Sequence, residues 1–353
     1  MPQLKDDSVI VSDRLLHLLS DHEQILIVMH DNPDPDAIAS AWAVQTLIEA
    51  KLQRASRLVA GGAIVRAENR HMVDLLGAPI QLVLSIEGNR NDQVVLVDCG
   101  SKSSNQLLAR TNLQPLAIID HHLNSCVGEQ PRFVDLRPDV AATATIAASY
   151  LREQNVEPGV KLATALLYAI RTETRGSETS YTELDNQMII WLTERAEPEL
   201  LAEIENAPLS QEWYSDLVLA MQCTTLFGDV ALCFLPRAEG AEIVGEVADL
   251  LIRGNQLHRV LCAAVVGQDL LISVRTAKDV ADACQLVVET IGDLGSGGGH
   301  HCRAGGKIPD VVHDGTVPDS LEEEIRARWL KVCKASGRAP RQLISWREIV
   351  EHI

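Results

Sequence analysis

The sequence predicts an α/β protein of two domains, the first built on a parallel sheet. Three observations carry this. Short β-branched runs near 25–29, 56–60, 80–84, 94–98 and 116–119 alternate with helical patterns such as 37–52 and 66–76, the signature of βαβ units. A polar, proline-bearing break falls at 195–199. A second αβ pattern begins near 210.

Taken in order, the strand-like runs are short and apolar on both faces, as strands buried in a parallel sheet must be. Residues 141–154, 159–172 and 183–195 then read as successive helices rich in Ala, Leu and Ile. After the break, 213–222 reads as a helix, 230–235 and 259–266 as strands, and 270–274 as a strand joined to its predecessor by the turn Gly267-Gln268-Asp269. A helix over 280–291 leads into the glycine-rich run 295–306, read as a loop. From 313 onward the pattern suggests two polar-faced helices flanking a basic loop at 331–341.

Composition narrows the function. The chain has 353 residues, 46% hydrophobic, room for two ordinary domains. Its net charge of −18 opposes binding of long nucleic acid through phosphate neutralisation. With only 3% aromatics it also lacks the stacking platforms of single-strand binders. The N-terminal segment is polar, without a signal-peptide core, and no apolar run approaches a membrane span, so a cytoplasmic protein without membrane contact is expected. The eight cysteines form no C-x-x-C pair and read as small buried hydrophobes in a reducing compartment. Isolated histidines such as His71, His258 and His313 carry no signal, and the acidic run 322–324 reads as a solvated helix face.

Three bursts of acidic and imidazole residues stand at strand ends: His30 to Asp36 after 25–29, Asp98 after 94–97, and Asp120-His121-His122 after 116–119. Ligands of open α/β sheets bind beyond the carboxyl ends of the strands. Pro33 and Pro35 preclude a regular helix between His30 and Asp36, leaving a stiff loop able to wrap a cation. Carboxylates mixed with imidazoles suit Mn²⁺, Mg²⁺, Fe²⁺ or Co²⁺. His30, Asp34, Asp36, Asp98 and His121 suffice for two ions sharing a carboxylate. Two such ions about 3.5–4 Å apart would clamp a phosphoryl group. Helix capping is the competing explanation for any single aspartate, Asp36 especially. Capping does not explain the whole set.

In the glycine run, backbone amides can approach an anion closely. His300, His301 and Arg303 lie within it, and Arg275 ends the strand before it. A guanidinium suits bidentate contact with phosphate. Arg171 and Arg175 flank Glu173 and fit either substrate phosphate or neighbouring carboxylates.

These motifs make the sequence resemble the DHH phosphoesterase family over about residues 20–310. Asp120-His121-His122 matches the naming motif, His30 to Asp36 the first motif, and Asp98 the second. Gly297-Gly298-Gly299-His300 with Ala304-Gly305-Gly306 matches the family's associated C-terminal domain. The resemblance implies that His30, Asp34, Asp36, Asp98 and His121 hold two divalent ions, Mn²⁺ first. It implies that His122 contacts the scissile phosphate or donates a proton, and that Asp120 orients a histidine. It implies a DHH domain over 1–197 and a smaller DHH-associated domain over 208–312 binding substrate through Arg275, Gly297, Gly298, Gly299, His300, His301 and Arg303; the residue pattern beyond adds a helical extension over 313–353. The substrate would lie in a cleft between the domains.

One position departs from the family pattern. A fourth motif, T-D-T, is present as Thr172-Glu173-Thr174, so Glu173 stands in an aspartate's place with one more methylene. The size and motifs are similar to the nano-RNase and phosphoadenosine-phosphate phosphatase branch. That implies a two-metal phosphoesterase of small nucleotides: short oligoribonucleotides, 3′-phosphoadenosine 5′-phosphate, or cyclic dinucleotides and their linear products. The alternatives are a nucleotide-binding regulatory protein weakened at Glu173, and an inorganic pyrophosphatase or exopolyphosphatase. The sequence leaves homodimer formation open.

Overall fold

The computed structural model describes residues 10–86, 93–101, 103, 105–122, 131–174, 182–238, 240–299, 301–312 and 318–344. His300, Arg175, His313 and the second of the two expected C-terminal helices lie outside the described residues. The chain divides into two compact units, Met1–Pro208 and Leu209–Ile353.

The first unit runs α1 (Val11–Ser20), β1 (Ile25–Val28), α2 (Pro35–Leu52), β2 (Ser56–Ala60), α3 (Ala67–Leu76), β3 (Ile80–Leu82), β4 (Gln93–Val97), β5 (Pro115–Asp120), β6 (Phe133–Leu136), α4 (Thr143–Glu153), α5 (Val160–Thr174), α6 (Glu183–Thr193) and α7 (Pro198–Glu205). Its six described strands are all parallel, in the order β3-β2-β1-β4-β5-β6. The chain builds outward from β1 on one side, then returns to build outward on the other. The switch point therefore lies between β1 and β4, where such sheets open a crevice.

Alternation along the strands feeds two cores. Ile25, Ile27, Val95, Val97, Ala117 and Ile119 join α2, α4 and α5 on one face. Leu26, Val28, Val94, Leu96 and Ile118 face a thinner layer containing Cys99, Leu107 and Leu108. Burial on both faces explains the unbroken apolar runs. α2 is buried over most of its circumference, including Ala37, Ile38, Ala39, Ala41, Val44, Leu47 and Ile48, so no polar face marks it in the sequence.

The second unit runs α8 (Gln211–Cys223), β7 (Thr224–Phe227), β8 (Val230–Leu235), α9 (Glu242–Leu251), β9 (Arg259–Val266), β10 (Asp269–Thr276), α10 (Ala283–Ile291), β11 (Ser296–Gly299), β12 (Arg303–Ile308), α11 (Asp319–Val332) and β13 (Arg341–Gln342). The sheet order is β11-β12-β10-β9-β8-β7-β13, with only β8 and β9 parallel. α10 and α11 cover one face, α8 and α9 the other.

Four expectations change. The break at 195–199 is followed at once by α7, because Pro198 occupies a first-turn position, where a missing N–H costs nothing. α10 begins at Ala283, since the Asp282 side chain accepts from the Gln285 N–H and caps it there. The glycine run is a β-hairpin of β11 and β12, not a loop. A Cβ on Gly306 would lie 2.1 Å from Ile291 Cδ1, so the bare glycines let α10 close onto the hairpin. Finally, the segment expected as an extension is integral to the second unit in its described residues. Ile325 and Trp329 of α11 are fully buried in the core, and β13 pairs with β7.

Candidate metal centre

The loop after β1 is shaped by its own side chains and by Gly61. Asp34 caps α2, its Oδ1 accepting from the Ala37 N–H at 3.0 Å, and Pro35 starts the helix. Asn32 has φ 56°, a left-handed conformation that Asn tolerates better than most residues. Its N–H donates to Gly61 O and its Oδ1 accepts from Ala63 N–H, each at 3.0 Å. A Cβ on Gly61 would strike Asp31 Oδ1, and Arg110 pairs with the same Asp31 carboxylate.

Asp98 follows β4 with φ 58°. Strained backbone of this kind costs of order 1 kcal/mol and concentrates at functional sites. Its N–H bonds Ile119 O at 3.0 Å, and its Oδ1 accepts from Thr143 Oγ1 at 2.7 Å. At the end of β5 the buried Asp120 accepts from the His121 N–H at 2.8 Å, the His122 N–H at 3.2 Å and His122 Nδ1 at 2.7 Å. Asp120 thus orients His122.

Two other imidazoles are oriented by carbonyls. His30 Nδ1 meets Asp31 O at 2.9 Å and His121 Nδ1 meets Val140 O at 3.3 Å. A carbonyl only accepts, so each Nδ1 carries a proton and each ring turns its Nε2 toward carboxylates. His30 Nε2 lies 3.8 Å from Asp34 and 3.6 Å from Asp98. His121 Nε2 lies 3.8 Å from both Asp36 and Asp98.

The donors fall into two groups, His30 with Asp34 and Asp98, and Asp98 with His121 and His122, each with its ligand atoms within 4.8 Å of one another. Asp98 belongs to both. Donors bound at about 2.1 Å to a common ion stand about 3–4 Å apart, so the set fits a divalent cation.

Asp36 lies deepest. Its Oδ2 accepts from the Thr143 N–H at 2.8 Å and its Oδ1 from the Ala144 N–H at 2.7 Å. Burial, then the charges of Asp98, Asp34 and Glu173, push its pKa well up. His30 is pushed up as well: burial opposes this, but hydrogen bonds to Asp34 and Asp98 prevail. Asp34 moves the other way, because the His30 contact outweighs its burial. Carboxylates gathered this closely require positive charge.

Glu173, in the last turn of α5, is partly buried, and its charge is among those acting on Asp36. Arg171 instead turns to Glu205 of α7, at 3.2 Å. In the second unit Gly297, Gly298, Gly299, His301 and Arg303 are exposed, and His301 Nδ1 lies 3.2 Å from Asp282. Arg275 does not match its expected role. It is 9% exposed and its guanidinium is held by Asp249, Ser273 Oγ and Val274 O, because a buried charge must be paired. Thr143 escapes sequence reading: a threonine opening an Ala-rich helix signals a cap, whereas here it bonds two aspartates while Ala142 stands at the cap.

The His122 pKa is raised to about 9: burial opposes the shift, and the Asp120 hydrogen bond and the charge of Asp98 overcome it. His122 is therefore protonated at neutral pH and loses its proton as pH rises through about 9. A cation placed against Asp98 cancels part of that field. Saturating Mg²⁺ should lower the His122 midpoint by about one unit or more, read from its ring resonances in NMR titrations. An unmoved midpoint would show that no cation binds beside Asp98.

Comparison with known proteins agrees with this architecture. Residues 24–170 match the DHH family, N-terminal domain. That match places a DHH-type N-terminal domain in the first unit. An uncharacterized protein of Methanocaldococcus jannaschii is 33% identical over 315 residues, 87% of this chain and 64% of that protein. The manganese-dependent inorganic pyrophosphatase of Bacillus subtilis is 30% identical over 153 residues, 43% of this chain and 48% of that enzyme. The chain thus spans less than two thirds of the curated relatives it matches. The fold is shared with the crystal structure of an exopolyphosphatase-related protein from Bacteroides fragilis, at TM-score 0.69 and 14% identity, covering 94% of this chain and 100% of that one. Among the described residues no helix is long and apolar enough to cross a membrane, and the described cysteines are free.

Proposed function

We propose that the protein is a divalent-metal-dependent phosphoric ester hydrolase acting on small nucleotides, with Mn²⁺ as its metal. The observation that carries this reading is Asp98 shared between two donor groups at the switch point of a parallel sheet. His30 and Asp34 would hold an ion on one side of Asp98, His121 and Asp36 on the other, with Glu173 completing the set. When bound, the metals would supply Lewis-acid stabilisation of phosphoryl charge and an activated water.

The residues themselves perform three tasks. Carbonyls of Asp31 and Val140 hold His30 and His121 in the tautomer that presents Nε2. Thr143 fixes the rotation of Asp98, and the N-terminal N–H groups of α4 fix Asp36. His122, charged and braced at Nδ1 by Asp120, would bond a phosphate oxygen and give a proton to the leaving oxygen. In the second unit the glycine hairpin, with His301 and Arg303 exposed beside it, is the proposed substrate-binding element.

The relatives named as manganese-dependent pyrophosphatases favour a second substrate, inorganic pyrophosphate. Their likeness covers 43% of this chain, less than half. The test is turnover by Mn²⁺-loaded protein of pApA, pGpG, 3′-phosphoadenosine 5′-phosphate and pyrophosphate. A nucleotide is expected to be cleaved with the highest kcat/KM. Preference for pyrophosphate would select the second reading, and binding without turnover of any substrate would leave a regulatory protein. Glu173→Asp withdraws a carboxylate whose charge already reaches Asp36. It is expected to lower kcat about 10- to 10²-fold, the scale of a 1 Å displacement. A rise in kcat would instead mark Glu173 as an impairment.

A further inference from the structure

The turn between β6 and α4 touches three residues of the candidate centre. Val140 O receives His121 Nδ1 at 3.3 Å. Three residues on, the Thr143 N–H donates to Asp36 at 2.8 Å and Thr143 Oγ1 to Asp98 at 2.7 Å, and the Ala144 N–H donates to Asp36 at 2.7 Å. Residues 140–144 therefore form a strap that sets one imidazole and two carboxylates.

A single side chain grips the middle of this strap from behind. Asp185, in the first turn of α6, is fully buried at 0% exposure. The Ala141 N–H donates to both of its oxygens, at 3.1 and 3.2 Å. Thr145 Oγ1 donates to Oδ1 at 2.6 Å. The Thr182 N–H and Oγ1 donate to Oδ2 at 2.8 and 2.6 Å. Capping α6 accounts for the Thr182 contacts alone, as a reciprocal capping box. The Ala141 and Thr145 contacts, 44 and 40 residues away in sequence, do nothing for that cap.

We infer that Asp185 is a positioning residue for the candidate metal centre, acting through the strap 140–144 on His121, Asp36 and Asp98. The inference rests on reading that centre as a divalent-cation site. A carboxylate offers about four acceptor positions, and here four donors use them. Asparagine offers fewer and sets an NH₂ group against donors, so Asp185→Asn releases the Ala141 grip while nearly conserving volume. The strap then moves by tenths of an ångström, and His121 loses its fixed carbonyl partner. Groups that orient ligands from behind typically govern metal affinity by 10–100-fold.

The test is Mn²⁺ affinity by calorimetry on the full chain, together with the His121 Nδ1–H resonance in the metal-free protein. Asp185→Asn is expected to weaken Mn²⁺ binding about 10-fold or more and to broaden or shift that resonance. Thr145→Val is the control. It removes one partner of Asp185 without touching the strap's contacts to the centre, and it should bind Mn²⁺ within about 3-fold of wild type. Where Asp185→Asn does not fold, Asp185→Glu keeps the charge but misplaces it and should weaken binding about 3- to 10-fold. Folded Asp185→Asn or Asp185→Glu with wild-type affinity overturns the inference. So does Thr145→Val weakening binding as much as the Asp185 variants, since the role would then be general support of the fold. Wild-type protein that takes up no Mn²⁺ overturns the cation reading, and this inference with it.

Discussion

Asp98→Asn is expected to remove divalent-cation binding while leaving the metal-free fold intact. Asparagine keeps the shape, tolerates the φ of 58°, and can still accept from Thr143 Oγ1. It removes the one charge common to both donor groups. Loss of activity should exceed about 10²-fold, since even groups behind the ligands govern affinity on that scale. Metal-free stability should change much less. Asp98 is among the charges that push Asp36 upward but also pairs with His30 and His122, so deleting it relieves repulsion in a buried cluster while giving up those pairs. Each unit of relieved shift corresponds to about 1.4 kcal/mol. Thermal unfolding with and without Mn²⁺ checks both halves. Wild type at a hundred times Kd gains about 2.7 kcal/mol from the ion, and the variant should gain none. A variant that loses metal-free stability and keeps the Mn²⁺-induced shift would show that Asp98 serves the fold.

Trp329→Ala should give the largest loss of stability, confined to the second unit. The side chain is fully buried against the core and its Nε1–H donates to Ala231 O at 3.1 Å. Truncation leaves a cavity and a buried carbonyl without its donor, a cost of about 3–5 kcal/mol. Calorimetric unfolding should resolve a lowered transition for the second unit. Mn²⁺ affinity should stay within about 3-fold of wild type, because every candidate ligand belongs to the first unit. Loss of Mn²⁺ binding in a folded variant would instead mean that the second unit supports the centre.

The parallel sheet was legible because its strands are buried on both faces and so lack polar interruption. The runs predicted at 56–60, 230–235 and 259–266 coincide with β2, β8 and β9. The candidate ligands were legible for a related reason: carboxylates directly after apolar strands are costly unless used. What escaped depends on contacts distant in sequence. Thr143 and Asp185 are ordinary first-turn residues until the fold brings them against residues 98 and 141. Arg275 looked available because a terminal strand arginine does not announce its partner, Asp249, 26 residues earlier. The glycine run was read for what glycine permits a ligand to do. The structure shows what it permits a helix to do, for α10 packs where side chains would stand.

The return of β13 to β7 bears on the order in which the protein is made. The first unit has its last strand by residue 136 and its last helix by residue 205. All of its core can assemble while later residues are still being added, at about 5–20 residues per second. The second unit has no such freedom. Its sheet opens with residues 224–227 and is joined by residues 341–342, and its core waits for Trp329. For the several seconds between, α8, α9 and the central strands stand with one apolar face uncovered. The half that carries the candidate centre can thus close its core first, while the other half waits for α11 and β13.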